Sequence, residues 1–142
     1  MSSRWISAMT SETPPPGDDD SRAMWRAFDE KEAALSAIVK PVLAQLEPML
    51  SEALGGVRVW SGHFGATGID PTHLVVYVVV PRRADVSVLE DSGAWDRYCH
   101  RLREALGQGG YPVQSLPDRF TLLTSQQACD EEAGGNWYHF FK

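Results

Sequence analysis

The stretch that decides the fold is Leu74-Val75-Val76-Tyr77-Val78-Val79-Val80, which is apolar at every position and β-branched at most of them. Such a run predicts a β-strand. A strand without polar alternation has to be covered on both of its faces. The rest of the chain is interpreted outward from this strand.

A second strand is predicted before it, at Val57-Arg58-Val59-Trp60-Ser61, where apolar and polar residues alternate as in a half-buried strand. Residues 62–71 join the two strands and contain Gly62, Gly65 and Gly68. This connection is longer than a tight hairpin needs. We therefore treat residues 61–71 as a candidate binding loop.

A long helical segment is predicted before the first strand. Asp18-Asp19-Asp20-Ser21 supplies helix caps and negative charge, and apolar residues then recur at helical spacing. Pro41 and Pro48 each lack a backbone donor, which predicts one helix to Lys40 and a second, kinked helix to Leu54. Residues 1–20, with three consecutive prolines, are predicted to form a disordered tail.

The segment after the central strand predicts one more helix and three short strands. The helix begins near Asp91 or Ser92, and the strand candidates are residues 111–116, 120–125 and 136–141. Residues 21–142 are thus predicted to form a single α+β domain, with a mainly antiparallel sheet of about five strands packed against two helical elements. The predicted order is α-β-β-α-β-β-β.

Composition and charge exclude several classes of protein. The 142 residues include 13 basic and 19 acidic ones, for a net charge of −6, and 43% are hydrophobic. This charge opposes binding to nucleic-acid backbones and to anionic membranes. The N-terminus carries no secretion signal and no apolar run is long enough to span a bilayer, so we expect a soluble, cytoplasmic protein without nucleic-acid or membrane partners.

Metal and nucleophile motifs are absent from the sequence. Cys99 and Cys129 have no zinc-type spacing and are expected as reduced thiols. The four histidines, at positions 63, 73, 100 and 139, are interpreted as surface or partly buried residues. His63, two residues after Ser61, could in principle activate a hydroxyl nucleophile. We predict no metal site and no cofactor, and the balance favours a protein that is not an enzyme.

Some thirty residues around the glycine-rich loop resemble the strand, turn and strand of nucleotidyltransferase-like folds. In that family the turn holds a nucleotide phosphate over two carboxylates, which bind two metal ions. This sequence departs from the pattern, because Asp70 precedes the second strand and the strand itself has no carboxylate pair. The resemblance implies a degenerate small-molecule or nucleotide site at residues 61–71, with Arg82, Arg83 or Arg97 as anion anchors.

The preferred interpretation is binding of another protein. Two helical elements cover one face of the predicted sheet, which leaves aromatic side chains on the other face, and a large exposed apolar face marks an interface. The alternative is that the divided first helix covers that face. The predicted binding residues are aromatic, basic or acidic: Arg58, Trp60, Tyr77, Tyr138, Phe140, Asp130, Glu131 and Glu132. An acidic inhibitor of the immunity-protein type and a homodimer both remain open.

Overall fold

A three-stranded sheet positions every candidate residue of this protein. The computed structural model describes residues 19–141, and the side chains of all of these except Asp19, Asp20 and Tyr138. The strands are β1 (Trp60–Phe64), β2 (Val75–Val80) and β3 (Thr121–Ser125), in the spatial order β1-β2-β3. The predicted tail, residues 1–20, lies outside the described residues except for its last two, which open the first helix.

The sheet is mixed. β1 pairs antiparallel with β2, so that Gly62 lies opposite Tyr77, and β2 pairs parallel with β3, so that Tyr77 lies opposite Leu122. A parallel pair needs a crossover connection, and two helices supply it here: α2 (Arg83–Asp91) and α3 (Ala94–Gln108). The valine-rich strand β2 is the central one of the three.

Two of the predicted strands are wrong, and a third is displaced: the predicted strand 57–61 begins only at Trp60 and continues through Phe64, so Arg58 lies before β1 and residues 62–64 of the predicted loop are strand. Residues 111–116, which contain Pro112, form a short turn with a 3-10 helix at Val113–Ser115. Residues 136–141 instead contain the one-turn helix α5 (Trp137–Phe140), whose first turn is capped by Asn136, which accepts a hydrogen bond from the His139 backbone amide. The remaining helix, α4 (Gln126–Ala133), begins directly after β3.

The first helix, α1 (Asp19–Ala53), is continuous through 35 residues. The predicted break at Lys40 is wrong, and the order of elements is α-β-β-α-α-β-α-α rather than the predicted one. Pro41 and Pro48 lie seven residues apart, and both are exposed on the same side of the helix. A carbonyl that loses its helical partner there can bond to water instead, so the helix tolerates both prolines.

The core lies between one face of the sheet, here called the core face, and helices α1 and α3. Val76, Val78 and Val80 point to this face and are fully buried. They pack with leucines of both helices and with Tyr98 of α3: Leu43, Leu46, Leu50, Leu102 and Leu106. The coarse prediction of a mixed α and β fold is therefore confirmed, while the five-stranded sheet is not.

α1 also bears on the location of the protein. One 18-residue window within Ser21–Ala53 has a mean hydropathy of 1.2, which is apolar enough to cross a membrane by length and composition, and 33% of that window is buried inside the protein. Core helices of soluble proteins share this composition, so this one window indicates a membrane helix only weakly. The cytoplasmic location stays a prediction.

Candidate binding site at the edge of the sheet

The face of the sheet that points away from α1 and α3, here called the second face, carries the aromatic residues. Residues directly opposite in paired strands share a face, and side chains alternate along each strand. The second face therefore holds Trp60, Gly62 and Phe64 from β1, Val75, Tyr77 and Val79 from β2, and Leu122 and Thr124 from β3. This places the predicted binding residues Trp60 and Tyr77 on one surface.

The C-terminal helix covers one end of the second face. The ring of Phe141, directly after α5, lies 5.3 Å from that of Tyr77 and 5.7 Å from that of Phe64, and Trp137 stacks on Phe141 at 5.5 Å. The ring of Phe140 lies 5.4 Å from that of Trp137 and 5.5 Å from that of Phe141. The prediction that the second face is open is therefore wrong at this end, and the cover is the C-terminal segment, not α1.

The two outer strands of the second face keep exposed side chains. Trp60 on β1 is 39% exposed and Leu122 on β3 is 42% exposed, whereas Val79, opposite Trp60 on the central strand, is buried. The guanidinium of Arg58 lies 5.5 Å from the centre of the Trp60 ring, in the range of a cation–π contact. Arg58 and Trp60 thus form one exposed corner, here called the Arg58–Trp60 corner.

The outer edge of β1 has unpaired backbone groups. The Val76 amide donates to the Phe120 carbonyl at 2.9 Å, so Val76, Val78 and Val80 direct their backbone groups toward β3, and the intervening residues toward β1. Trp60, Gly62 and Phe64 accordingly bond to β2, whereas Ser61 and His63 direct their backbone groups outward. Within residues 19–141, no hydrogen bond outside the ladder with β2 reaches the backbone of β1.

A cleft of about 270 Å³ runs between this edge and α1, and we call it the β1–α1 groove. Eight residues line it: Lys40, Leu43, Ala44 and Glu47 from α1, Ser61, Gly62 and His63 from β1, and Tyr77 from β2. Its floor is apolar at Leu43 and Ala44. The Lys40 cation and the Glu47 anion lie seven residues apart on α1, one before and one after these two residues. The groove therefore combines an apolar floor, open backbone groups and two opposite charges.

Polar side chains of the groove are paired across α1 and β1. The Ser61 hydroxyl donates to Oε2 of Glu47, and Nε2 of His63 lies 3.3 Å from the Ser36 hydroxyl oxygen. Burial lowers the pKa of His63 below its ordinary value of 6.5, and the nearby Lys40 cation lowers it further. Ser61 and His63 do not pair with each other; each is held by a different residue of α1.

Gly62 determines how Tyr77 reaches the groove. A Cβ atom at position 62 would lie 2.3 Å from the Tyr77 hydroxyl oxygen, so only glycine leaves room for the ring. The tyrosine lies across the backbone of the edge strand and brings its hydroxyl to the groove. Burial raises the pKa of this hydroxyl, which stays a neutral hydrogen-bonding group at neutral pH.

The glycine-rich loop is a packed connection in the structure. A Cβ atom at Gly65 would lie 1.9 Å from the His73 carbonyl oxygen, and one at Gly68 would lie 2.2 Å from the Phe28 carbonyl oxygen. The Tyr111 hydroxyl donates to the Pro71 carbonyl at 2.7 Å. Both glycines are therefore required by close backbone packing, without reference to a phosphate.

Two of the three arginines expected as anion anchors lie away from this loop. The loop ends before β2 begins, whereas Arg82 and Arg83 follow the far end of β2, and six extended residues span about 20 Å. Arg82 pairs with Asp85 at 3.0 Å. The guanidinium of Arg97 lies 3.5 Å from the Ser92 carbonyl oxygen.

The predicted acidic residues Asp130, Glu131 and Glu132 lie on α4, far from the Arg58–Trp60 corner in the sequence. Arg83 bonds to both Glu131 and Glu132 at 2.9 Å, and Asp130 accepts a hydrogen bond from Gln126. These pairs offset part of the negative charge that a basic partner would meet. The side chain of Tyr138, another predicted binding residue, lies outside the described residues.

Among residues 19–141, no group of three or more histidine, cysteine or carboxylate side chains is placed to hold a metal ion. Both cysteines are free thiols, and Cys99 lies 3.5 Å from the Thr121 hydroxyl. Sequence reasoning missed Lys40, Glu47 and Leu122 as site residues. The seven-residue spacing of Lys40 and Glu47 shows that they share a face of α1, but no sequence pattern shows that this face meets β1.

The comparisons with known proteins add no family. No protein-family model, no curated protein and no solved structure matches this chain. The function of this protein is therefore inferred from the residues of the site.

Proposed function

We propose that this protein is a non-catalytic binding protein that engages another protein through the Arg58–Trp60 corner of its sheet. The observation that carries the proposal is the exposure of Trp60 beside Arg58, on a strand whose outer backbone edge is unpaired. Tryptophan and arginine are the residues most enriched at the energetic centres of protein interfaces. An exposed tryptophan at an open strand edge is a surface that a partner stabilises by covering it.

The polar pairs of the groove favour binding over catalysis. The Ser36–His63 distance of 3.3 Å is long for a hydroxyl held by a base, and within residues 19–141 no carboxylate hydrogen-bonds the other ring nitrogen of His63. The orienting group of a catalytic triad is therefore not found there. The ion pairs of Glu131 and Glu132 with Arg83 also direct the proposal to the Arg58–Trp60 corner rather than to the acidic residues of α4.

The test is the capture of a partner by the tagged chain from its native lysate, at low and moderate salt. We expect Trp60→Ala to weaken the stoichiometric complex about 30-fold or more, as for a central interface tryptophan. Trp25→Ala is the matched control, because Trp25 on α1 is exposed to a similar extent, 37%. Circular dichroism checks that both variants fold.

A partner that Trp60→Ala retains as well as the wild type does would place the interface elsewhere on the molecule. Loss of the partner in both tryptophan variants would contradict the proposal as well, because the effect would then not be specific to the corner.

A further inference from the structure

We infer that the partner adds an extended peptide segment to β1, as a fourth strand lying in the β1–α1 groove. This inference rests on the proposed function and names the chemistry of the partner segment. Its first support is the pair of outward-facing residues of the edge strand. Ser61 and His63 together offer two N–H donors and two carbonyl acceptors, which an antiparallel segment pairs with four hydrogen bonds.

The groove also has the form that strand addition requires. α1 lies along one side of the β1 edge, and the lining side chains between its two charged residues are Leu43 and Ala44. Ser61 and Gly62 are half-buried, so a segment can approach them, whereas His63 is 8% exposed and takes part through its outward-facing backbone groups.

The charges of the groove determine which residues the bound peptide segment should carry. Glu47 accepts the Ser61 hydroxyl and so stands level with Ser61. Ser36, one helical turn before Lys40, lies 3.3 Å from Nε2 of His63, and Lys40 lines the groove together with His63, so Lys40 lies on the His63 side of Glu47. Side chains of an added strand opposite Ser61 and His63 point to the same α1 side. In an antiparallel segment the residue opposite His63 comes first, so the groove fits an acidic residue there and a basic residue two positions later.

The residue between them lies opposite Gly62, on the second face. Gly62 has no side chain, and the Tyr77 hydroxyl lies above it. The Tyr77 ring already covers this glycine, so a partner residue opposite Gly62 packs against the edge of that ring, and cross-strand aromatic pairs do so favourably. The partner segment therefore has the pattern acidic, aromatic, basic, and its aromatic residue lies between Trp60 and Phe64 of β1.

The experiment uses two capped seven-residue peptides as probes, one with the central sequence Glu-Tyr-Lys and one with Lys-Tyr-Glu. Each is titrated into the ¹⁵N-labelled protein to millimolar concentration, and the backbone amide signals are followed. We expect the largest shifts at Ser61 and His63, and about five- to tenfold tighter binding of the Glu-Tyr-Lys peptide, since two exposed charge pairs change sign between the probes.

The variant Lys40→Glu/Glu47→Lys reverses the charges of the groove and should reverse the preference between the two peptides. The matched control is Lys31→Glu/Glu52→Lys, which makes the same exchange at two exposed positions of the same helix outside the groove. This control should keep the wild-type preference. Light scattering on the same samples reports self-association.

Three results would overturn the inference: no shift at Ser61 and His63 with either peptide, a preference that the groove variant leaves unchanged, or a dimer that is abolished by the groove variant. The last result would assign the groove to a second copy of the chain. Capture of the partner through Trp60 is measured separately. If capture depends on Trp60 while the peptides fail, the proposed function stands without the groove, and if both fail, both are wrong.

Discussion

At the scale of single residues, Tyr98 is the clearest case of an unsatisfied polar group. It is fully buried on α3 with its ring stacked 5.2 Å from that of Trp95, and its hydroxyl has no hydrogen-bond partner among residues 19–141. Burial raises the pKa of this hydroxyl well above its ordinary value. The group is therefore neutral and costs desolvation free energy without a compensating bond.

Replacing this tyrosine should stabilise the protein. Tyr98→Phe keeps the ring and removes the hydroxyl, and we expect the free energy of unfolding to rise by about 1 kcal/mol. Urea unfolding followed by circular dichroism measures it. Tyr111→Phe is the control, because the Tyr111 hydroxyl donates to the Pro71 carbonyl, and its loss should lower stability by about 1 kcal/mol. Equal losses in both variants would show that Tyr98 has a partner after all.

The imidazole of His63 should make stability depend on pH. Its folded-state pKa is lowered, first by burial and then by Lys40, so below pH 6.5 the unfolded chain takes up a proton that the folded chain does not. The contribution of His63 is complete above that pH and is lost as the pH falls toward the folded-state pKa. Urea unfolding at pH 7.5 and 5.5 should show a smaller loss of stability in His63→Gln than in the wild type.

The exposed His73 provides the control for this pH dependence. His73→Gln should retain the loss of stability that the wild type shows between the two pH values. If His63→Gln shows the same loss as the wild type, the pH dependence arises from other groups, such as carboxylates that are paired in the folded state.

At the scale of elements, the C-terminal helix illustrates what local sequence leaves undecided. The segment Asn136 to Phe141 is aromatic and reads equally as a strand or as a turn of helix. Tertiary contacts decide for helix, because Phe141 then reaches Phe64 and Tyr77 on the second face. α1 shows the opposite case, since its apolar stripe predicts a helix correctly while its prolines wrongly predict a break.

Phe141 should matter more to stability than its neighbour in sequence. Phe141→Ala removes ring contacts with Phe64, Tyr77 and Trp137, and we expect the free energy of unfolding to fall by about 2 kcal/mol, less than for a fully buried phenylalanine. The described ring contacts of Phe140 are those with Trp137 and Phe141, both in the C-terminal segment, so Phe140→Ala should cost clearly less. Thermal unfolding of the two variants compares them, and similar losses would mean that α5 does not hold the second face through Phe141.

At the scale of the whole molecule, the net charge limits which classes of partner can bind, and the fold decides where the individual charges lie. The net charge of −6 opposes binding to phosphate backbones wherever the charges lie. The distribution of charge is decided by the fold, which pairs Arg83 with Glu131 and Glu132 from a segment nearly fifty residues away and leaves Lys40 and Glu47 on one groove. Only this distribution makes the groove polar at both ends and apolar between them.

The sequence by itself determined the elements whose signal is local: the valine-rich central strand, the amphipathic helices α1 and α3, and the strand that became β3. It also identified Arg58 and Trp60 as one surface, although Arg58 lies before β1 and meets Trp60 through a cation–π contact rather than as a residue of the same strand. The parallel pairing of β2 with β3, the helical C-terminus and the β1–α1 groove were decided only by the tertiary structure. Each of these depends on contacts between residues far apart in the chain, such as Phe141 with Tyr77 or Glu47 with Ser61, and no local periodicity encodes which distant surfaces meet.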